Sequence, residues 1–210
     1  MNGLYPVFLS LAEAKCVVVG GGEVAARKIA GLRVAGAAVM VVAPKLCPAA
    51  MEQVEVGEAQ WIKGTFTPQA LDGATLVIAS TDNSEVNREV ASEAKARNIP
   101  VNVVDQPELC GFYVPSVVRR GDLVIAISTS GNSPAIAKRV RKNLEKEFGP
   151  EWEPYLEIMG QARRMALCLF DDQKTREEIF NTLAESDLFD LVKKGDMQAA
   201  QKMVTEIVKG

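Results

Sequence analysis

Three consecutive glycines, beginning at Gly20, separate a short β-branched run from a segment of helical period. The run covers residues 16–19, and apolar residues then recur at helical spacing over residues 24–34. Gly20, Gly22 and Ala25 fill the G-x-G-x-x-G/A pattern, in which small residues let a turn approach a pyrophosphate and let a helix pack closely on a strand. The N-terminus of that helix supplies unpaired N–H groups and the positive end of the helix dipole. The pattern predicts a dinucleotide site, and a plain glycine turn is the alternative.

Three further side chains are candidates for chemistry. Asp105 follows an apolar run, and beside a dinucleotide a carboxylate shielded from water acts as a general base or holds a metal ion. The alternative is a carboxylate that caps the turn at residues 106–108. Asp82 is interpreted as a turn former or as a polar neighbour of the cofactor. Cys110 is either a reactive thiol or a small apolar filler.

Composition excludes several classes of function. The 210 residues contain no histidine, which rules out an imidazole base, triad or metal ligand, and no metal-binding residues are predicted. A net charge of −3 offers no basis for binding nucleic acid or an anionic membrane. The four cysteines lack C-x-x-C spacing, and no secretion leader or apolar run of roughly 18 residues occurs. We therefore expect a reduced, cytoplasmic protein.

The elements that position these residues alternate along the first half of the chain. Patterns of β-branched residues predict strands at residues 16–19, 38–43, 58–62, 75–80 and 101–105, with helices between them. This order indicates an α/β fold with a doubly wound, Rossmann-type parallel sheet. Ligands of such sheets bind beyond the carboxyl ends of the strands, so the glycines, Ala43, Thr81, Asp82 and Asp105 should converge on one crevice.

Two segments at the borders of this pattern add detail. The apolar residues 5–11 are expected to lie against the sheet. The second strand ends in Ala43-Pro44-Lys45 and so lacks the acid that often accepts the ribose hydroxyls. Lys45 suggests a 2′-phosphate, although a solvated lysine is the favoured interpretation.

From residue 112 the pattern changes to a hairpin followed by helices. Strands are predicted at residues 114–119 and 123–128, and a helix at 134–148 with Ser133 as N-cap and Pro134 as first residue. An apolar stripe of that helix carries Ala135, Ile136, Val140 and Leu144. Residues 150–210 show helical stripes typical of a core, in which no chemistry is predicted.

The polar turn before that helix is a second candidate anion site. Its candidate ligands are Ser128, Ser130, Asn132 and Ser133. Basic residues nearby would attract a polycarboxylate, and a solvated charged face is the alternative for each of them. They are Arg119, Arg120, Lys138, Arg139, Arg141 and Lys142.

Six segments in order carry a family resemblance. They are LYPVFL (4–9), VVGGGEVAARK (18–28), ASTDN with VN (79–87), NVVD (102–105), FYVPS (112–116) and ISTSGNSP (127–134). On these motifs the chain resembles the precorrin-2 dehydrogenase family, whose module also forms the N-terminal part of fused siroheme synthases. Because the chain ends at Gly210, we expect no methyltransferase domain and a supply of precorrin-2 from another protein.

The resemblance implies a subunit of three parts and a homodimer with active sites near the subunit interface. The parts are a Rossmann NAD-binding domain (1–113), a small α+β dimerisation region (114–149) and a helical C-terminal domain (150–210). The implied reaction is NAD-dependent oxidation of precorrin-2 to sirohydrochlorin in siroheme biosynthesis, with Asp105 as the proton acceptor. The implied cofactor-binding residues are Gly20, Gly22, Glu23, Val24, Ala43, Thr81 and Asp82. Precorrin-2 bears eight carboxylates, and its expected ligands are Ser128, Ser130, Asn132, Ser133, Arg119 and Lys138.

Two alternatives stay open at the level of sequence. One is a bifunctional enzyme that also inserts ferrous iron into sirohydrochlorin. The other, from a different class, is a non-catalytic Rossmann-type module that senses NAD and regulates a partner. A repressor of that kind should carry a basic helix-turn-helix element, and the sequence shows none.

Overall fold

The computed structural model describes residues 3–210, which form two compact units. The first unit ends at Val114 and the second spans Pro115–Gly210. A five-stranded parallel sheet, a two-stranded antiparallel hairpin and a set of C-terminal helices make up the fold, which confirms the predicted fold class. The predicted boundary between residues 149 and 150 stays a prediction.

The first unit is built on a sheet with strand order β3-β2-β1-β4-β5, and every neighbouring pair is parallel. The strands are β1 (Lys15–Val19), β2 (Ala38–Ala43), β3 (Ala59–Lys63), β4 (Leu76–Ala79) and β5 (Val101–Val103). The central strands β1 and β4 are buried on both faces, as expected of near-continuous apolar runs. Strand β5 is two residues shorter than predicted, because the chain turns after Val103.

Helices cover both faces of this sheet. Cys16 and Val18 pack with α1 (Glu23–Val34) and α2 (Pro48–Glu55), whereas Val17 and Val19 face the side covered by α3 (Ser84–Ala96). A helix was expected between the second and third strands, but no bounds were predicted for α2, because Ala50 is its only buried residue and leaves almost no periodic signal. Two 3₁₀ turns, Pro68–Leu71 and Pro107–Leu109, complete the connections.

The expectation for the N-terminal lead-in was wrong. Leu11 is buried in the sheet core, but the apolar residues before it are exposed, with Tyr5 at 88% and Phe8 at 72%. The segment has no assigned secondary structure. An apolar pattern cannot distinguish a segment that packs on its own domain from one that is covered by another surface.

The second unit begins with the predicted hairpin and continues as helices. Its elements are β6 (Ser116–Arg120), β7 (Leu123–Ile127), α4 (Pro134–Glu147), α5 (Trp152–Leu169), α6 (Gln173–Glu185), α7 (Leu188–Lys193) and α8 (Met197–Lys209). The predicted C-terminal stripes form a core in which Trp152 and Tyr155 pack against Phe189. No helix within residues 3–210 has the length and apolar character needed to cross a membrane.

Only part of the predicted apolar stripe of helix α4 is covered, and this part is Leu144. Ala137 is buried where α4 packs on β6, but Ile136 and Val140 of the predicted stripe are 47% and 38% exposed. Residues 137, 141 and 144 lie on the covered side, and the adjacent side of the helix remains open. An apolar stripe wider than the contact leaves this choice to the tertiary structure.

Candidate functional site

A cavity of about 630 Å³ lies at the carboxyl ends of four strands in the first unit. It opens at the ends of β1, β2, β3 and β4, the edge at which doubly wound sheets bind their ligands. All seven residues predicted to bind the cofactor line this one cavity. They are Gly20, Gly22, Glu23, Val24, Ala43, Thr81 and Asp82.

The first two glycines are required by the fold of the turn itself. Gly20 has a φ of +127°, and a Cβ atom there would lie 2.6 Å from the carbonyl oxygen of Ser80 at the end of β4. A Cβ atom on Gly21 would overlap the carbonyl oxygen of Lys45, and the Gly21 carbonyl accepts a hydrogen bond from the Cys47 amide at 2.7 Å. Side chains at either position would therefore push the floor of the cavity apart.

Gly22 is different, because nothing in the chain requires a glycine there. A Cβ atom would meet no atom within 4 Å, and the backbone is extended, with φ −84° and ψ −175°. Gly22 is the N-cap of α1, and no side chain caps that helix. The first N–H groups of α1 thus lie at the cavity wall without a side-chain partner, where a pyrophosphate group fits both their hydrogen-bonding capacity and the helix dipole.

The Thr81–Asp82 wall is held by a buried asparagine. Asn87 is 2% exposed, its Oδ1 accepts from the Thr81 hydroxyl at 2.8 Å, and its amide donates to the Thr81 carbonyl at 3.0 Å. Asn83 caps α3 by accepting from the amides of Glu85 and Val86. The Thr81 hydroxyl is therefore engaged within the chain, while the exposed Asp82 carboxylate lies on the cavity wall.

Other residues of the cavity escaped the sequence analysis. Gly64, Thr65 and Phe66, just after β3, form one wall. Lys45, which the sequence analysis did consider, stands at the β2 end of the cavity as an exposed cation. The residues after β3 could have been found, because a parallel strand next to β2 has its carboxyl end at the same edge of the sheet. Asn87 could also have been found from the sequence, because it is a polar residue on the apolar face of a predicted helix.

Asp105 lies in the turn after β5 and is not among the residues that line the cavity, so the expected convergence on one crevice is incomplete. It is exposed rather than shielded, and its φ is +60°. The suggested capping role is absent: Gln106 is the N-cap of the following 3₁₀ turn, which has no side-chain cap. A non-glycine residue in this conformation without a local structural reason is a candidate for function.

The predicted substrate-binding residues lie in the second unit: Arg119 is on β6, and the others lie in the turn before α4 or in the first turns of that helix. Ser133 caps α4 as predicted, accepting from the Ile136 amide at 3.3 Å. The Ser128 hydroxyl accepts from the Ser130 amide, whereas Ser130 and Asn132 have exposed side chains.

The basic residues separate into two groups. Arg120 donates to the carbonyl oxygens of Glu145 and Phe148 at the end of α4, and Arg141 pairs with Glu145. Arg120 and Arg141 are therefore engaged within the chain, and the expectation that they attract a substrate stays a prediction. The other four are exposed: Arg119, Lys138, Arg139 and Lys142.

Comparison with protein families gives two matches along the chain. Residues 7–116, more than half of its length, match the family described as putative NAD(P)-binding. The chain belongs to this family. Residues 120–147 of this NAD(P)-binding family member match a second description, the central region of a sirohaem biosynthesis protein.

Curated relatives extend the similarity over nearly the whole chain. The siroheme synthase of Methylobacillus flagellatus is 38% identical over 205 residues, which cover 98% of this chain and 44% of that protein. Siroheme synthase 1 of Cronobacter sakazakii is 40% identical over 201 residues, covering 95% and 42% respectively. The NAD(P)-binding chain thus spans less than half the length of the curated relatives that it matches. These matches confirm the resemblance predicted from the six motifs.

A solved structure named SirC, precorrin-2 dehydrogenase, has the same fold. It superposes with a TM-score of 0.78 at 24% identity, over 98% of this chain and 99% of that one. The likeness covers the Rossmann-type sheet, the hairpin and the C-terminal helices of the NAD(P)-binding chain.

Proposed function

We propose that this chain is an NAD-dependent precorrin-2 dehydrogenase that forms sirohydrochlorin for siroheme biosynthesis. The observation that carries the proposal is the match of 98% of the chain to one part of siroheme synthases, with the glycine turn and its cavity intact. The solved structure with the same fold is a precorrin-2 dehydrogenase, which points to the same activity.

The glycine turn and the N-terminus of α1 would hold the cofactor. The amides that follow Gly22 meet the pyrophosphate, and the absence of a side chain at Gly22 leaves room for it. Thr81 and Asp82 contribute the wall at the β4 end, and Ala43 the wall at the β2 end. Bound NAD supplies the hydride acceptor for the reaction.

NAD is favoured over NADP by the charges on the wall. Two carboxylates, Glu23 and Asp82, line the cavity together with one lysine, Lys45. Each carboxylate can accept a hydrogen bond from a ribose hydroxyl, but it repels a 2′-phosphate. Lys45 alone does not balance the two acids, so NAD should bind more tightly than NADP.

Oxidation of precorrin-2 removes a hydride and a proton from the macrocycle, and Asp105 would accept the proton. Its carboxylate is exposed and has no hydrogen-bond partner among the side chains and amides of residues 3–210. It is therefore free to meet a substrate.

The exposed cations of the second unit would bind the substrate carboxylates. Arg119 and Lys138 carry no ion pair within the described part of the chain, and the Ser128–Ser133 turn adds hydroxyl and amide donors. A substrate with eight carboxylates needs several such contacts. Charge-assisted hydrogen bonds of this kind are stronger than neutral ones.

A homodimer is part of the proposal. Large apolar side chains are exposed in each unit, including Phe8 in the first and Ile136 and Val140 in the second. Ile136 and Val140 lie one turn apart on α4, and a second copy of the chain would cover them. Light scattering should give twice the chain mass, and Ile136→Asp should lower it toward the monomer value without loss of helix.

The test of the activity is anaerobic incubation of the purified protein with enzymatically generated precorrin-2 and NAD. Sirohydrochlorin and NADH should appear together by absorbance, and NADP should support slower turnover. Addition of ferrous iron afterwards measures siroheme formation against the uncatalysed rate, which tests the bifunctional alternative. A chain that binds NAD but forms neither product would refute the dehydrogenase and favour an NAD sensor.

A further inference from the structure

One sulfur atom joins the two sides of the turn that carries Asp105. The Cys110 Sγ accepts a hydrogen bond from the Val103 amide at 3.2 Å, and it lies 3.2 Å from the Val103 carbonyl oxygen and 3.5 Å from that of Gln106. Val103 and Gln106 are also the first and last residues of the turn, closed by a 3.4 Å bond from the Gln106 amide to the Val103 carbonyl. The thiol therefore contacts both ends of the four-residue turn.

This sulfur occupies the open side of an edge strand. Strand β5 pairs with β4 on one side only, so its outer amides and carbonyls need other partners. The returning chain supplies them: the Gly111 amide donates to the Val101 carbonyl at 2.8 Å, and the Asn102 side chain donates to the Phe112 carbonyl at 3.0 Å. Between these contacts, Cys110 Sγ meets the outward-facing amide of Val103.

The turn places Asp105 in the left-handed region, with a φ of +60°, which costs an aspartate more than it costs a glycine. A positive φ at the third position of a β-turn favours glycine or asparagine.

Burial raises the pKa of the Cys110 thiol, while the Val103 amide lowers it and Glu108 raises it. The thiol therefore stays neutral at pH 7 and can donate to a carbonyl while accepting from the Val103 amide.

We propose that Cys110 is a positioning residue that holds the Asp105 turn in the geometry needed for proton transfer. The proposal rests on the proposed function, because it assigns Cys110 an effect exerted through the catalytic Asp105. It differs from both sequence interpretations of Cys110, the reactive thiol and the apolar filler. A displacement of about 1 Å in a reacting group is enough to slow catalysis substantially.

The kinetic test compares two substitutions of opposite character. Cys110→Val keeps the apolar volume and removes the hydrogen bonds, whereas Cys110→Ser keeps the hydrogen bonds and reduces the volume. Cys110→Val should lower kcat on the order of tenfold with an unchanged Kd for NAD, and Cys110→Ser should restore most of the loss. Cys168→Val, at an exposed thiol on α5, is the matched control. The reverse order of the two variants would support a filler and overturn the proposal.

A double-mutant cycle separates positioning from general stability. In an Asp105→Asn background, Cys110→Val should cause no further loss of turnover, because its effect passes through Asp105. An equal loss in both backgrounds would overturn the proposal, since Cys110 would then act independently of the base. Near-normal turnover by Asp105→Asn alone would instead refute the catalytic role of Asp105.

A measurement that does not depend on turnover tests whether Cys110 holds the Asp105 turn in place. Hydrogen exchange at the Val103 amide should be slow in the wild type and in Cys110→Ser, and faster in Cys110→Val at unchanged global stability. Unchanged exchange in Cys110→Val would overturn the proposal even if the chain is active. A wild type without dehydrogenase activity would refute the proposed function and the catalytic effect of Cys110, and the exchange rates would still decide whether the sulfur holds the turn.

Discussion

The Thr81 hydroxyl and Asn87 Oδ1 are 2.8 Å apart at the carboxyl end of β4, and this bond ties the cavity wall to the first turns of α3. The Asn87 amide returns a bond to the Thr81 carbonyl, so the two residues are joined in both directions. Asn87 itself is not among the residues that line the cavity. It links the packing of α3 to the shape of the cofactor site.

Asn87→Ala should weaken both stability and cofactor binding. Its removal takes away the side chain that pairs with the part-buried Thr81 amide and carbonyl, which costs about 1–3 kcal/mol of unfolding free energy, while the Thr81 hydroxyl still donates to the Asn83 carbonyl. The released wall should raise the Kd for NAD several-fold. Urea unfolding and calorimetric titration measure the two effects, with Arg88→Ala, an exposed neighbour on α3, as the control. Retention of wild-type NAD affinity would show that the wall does not depend on Asn87.

Gly22→Asp should separate folding from binding. The extended backbone at Gly22 suits an aspartate N-cap, and its Cβ meets no atom, so α1 should be as stable or slightly more stable. The added carboxylate would repel the pyrophosphate, and the Kd for NAD should rise more than tenfold. Gly31→Asp, at an exposed position of the same helix, should leave that Kd unchanged. Equal effects of the two variants would argue against a pyrophosphate at this helix end.

Asp105→Asn should abolish most turnover without harming the fold. Loss of a general base costs on the order of 10²-fold or more in kcat, while the Kd for NAD should not change, since Asp105 does not line the cavity. Asparagine tolerates a positive φ at least as well as aspartate, so thermal unfolding should stay the same or shift slightly upward. A fall in stability together with activity would indicate a structural role instead.

Arg119→Ala should weaken substrate binding, whereas Arg120→Ala should lower stability. Arg119 is exposed and should affect substrate binding, raising the KM for precorrin-2 several-fold, more so at low salt. Arg120 donates to Glu145 and Phe148 carbonyls, and its loss should cost about 1–3 kcal/mol of stability. Steady-state kinetics and chemical unfolding of both variants make the comparison. A stability loss confined to Arg119→Ala would reverse the assignment.

Alkaline pH should destabilise the chain in part through Cys110. Burial raises the pKa of this thiol in the folded state, so the unfolded state loses its proton first as the pH rises. The contribution is fully present below the unfolded thiol pKa and is lost as the pH rises through the folded one. Cys110→Ser does not ionise in this range and should show a shallower decline.

The comparison of the wild type with Cys110→Ser isolates the effect of Cys110. Burial also raises the pKa of Cys16 and Tyr155, but it does so in both proteins. Unfolding free energies measured from pH 7 to 10 give the difference. Parallel curves would mean that ionisation of Cys110 is not coupled to folding.

The amino-acid sequence by itself determined the strands, the hairpin and the edge of the sheet at which the proposed cofactor site lies. Strand β2 and the hairpin follow from local β-branched runs, and the first turn follows from three consecutive glycines, of which Gly20 has a φ of +127°. Local patterns of this kind depend on neighbours in the chain, so they can be read without a fold. The order of parallel strands then places their carboxyl ends at one edge.

Only the tertiary structure decided which partner each side chain takes. Two adjacent arginines, Arg119 and Arg120, look equivalent in sequence, yet alternation along β6 sends one to solvent and the other to the end of α4. Cys110 likewise acquires its role from the return of the chain along β5, and Ile136 is left exposed by the choice of one helix face. These outcomes depend on contacts between residues distant in sequence, which local periodicity does not encode.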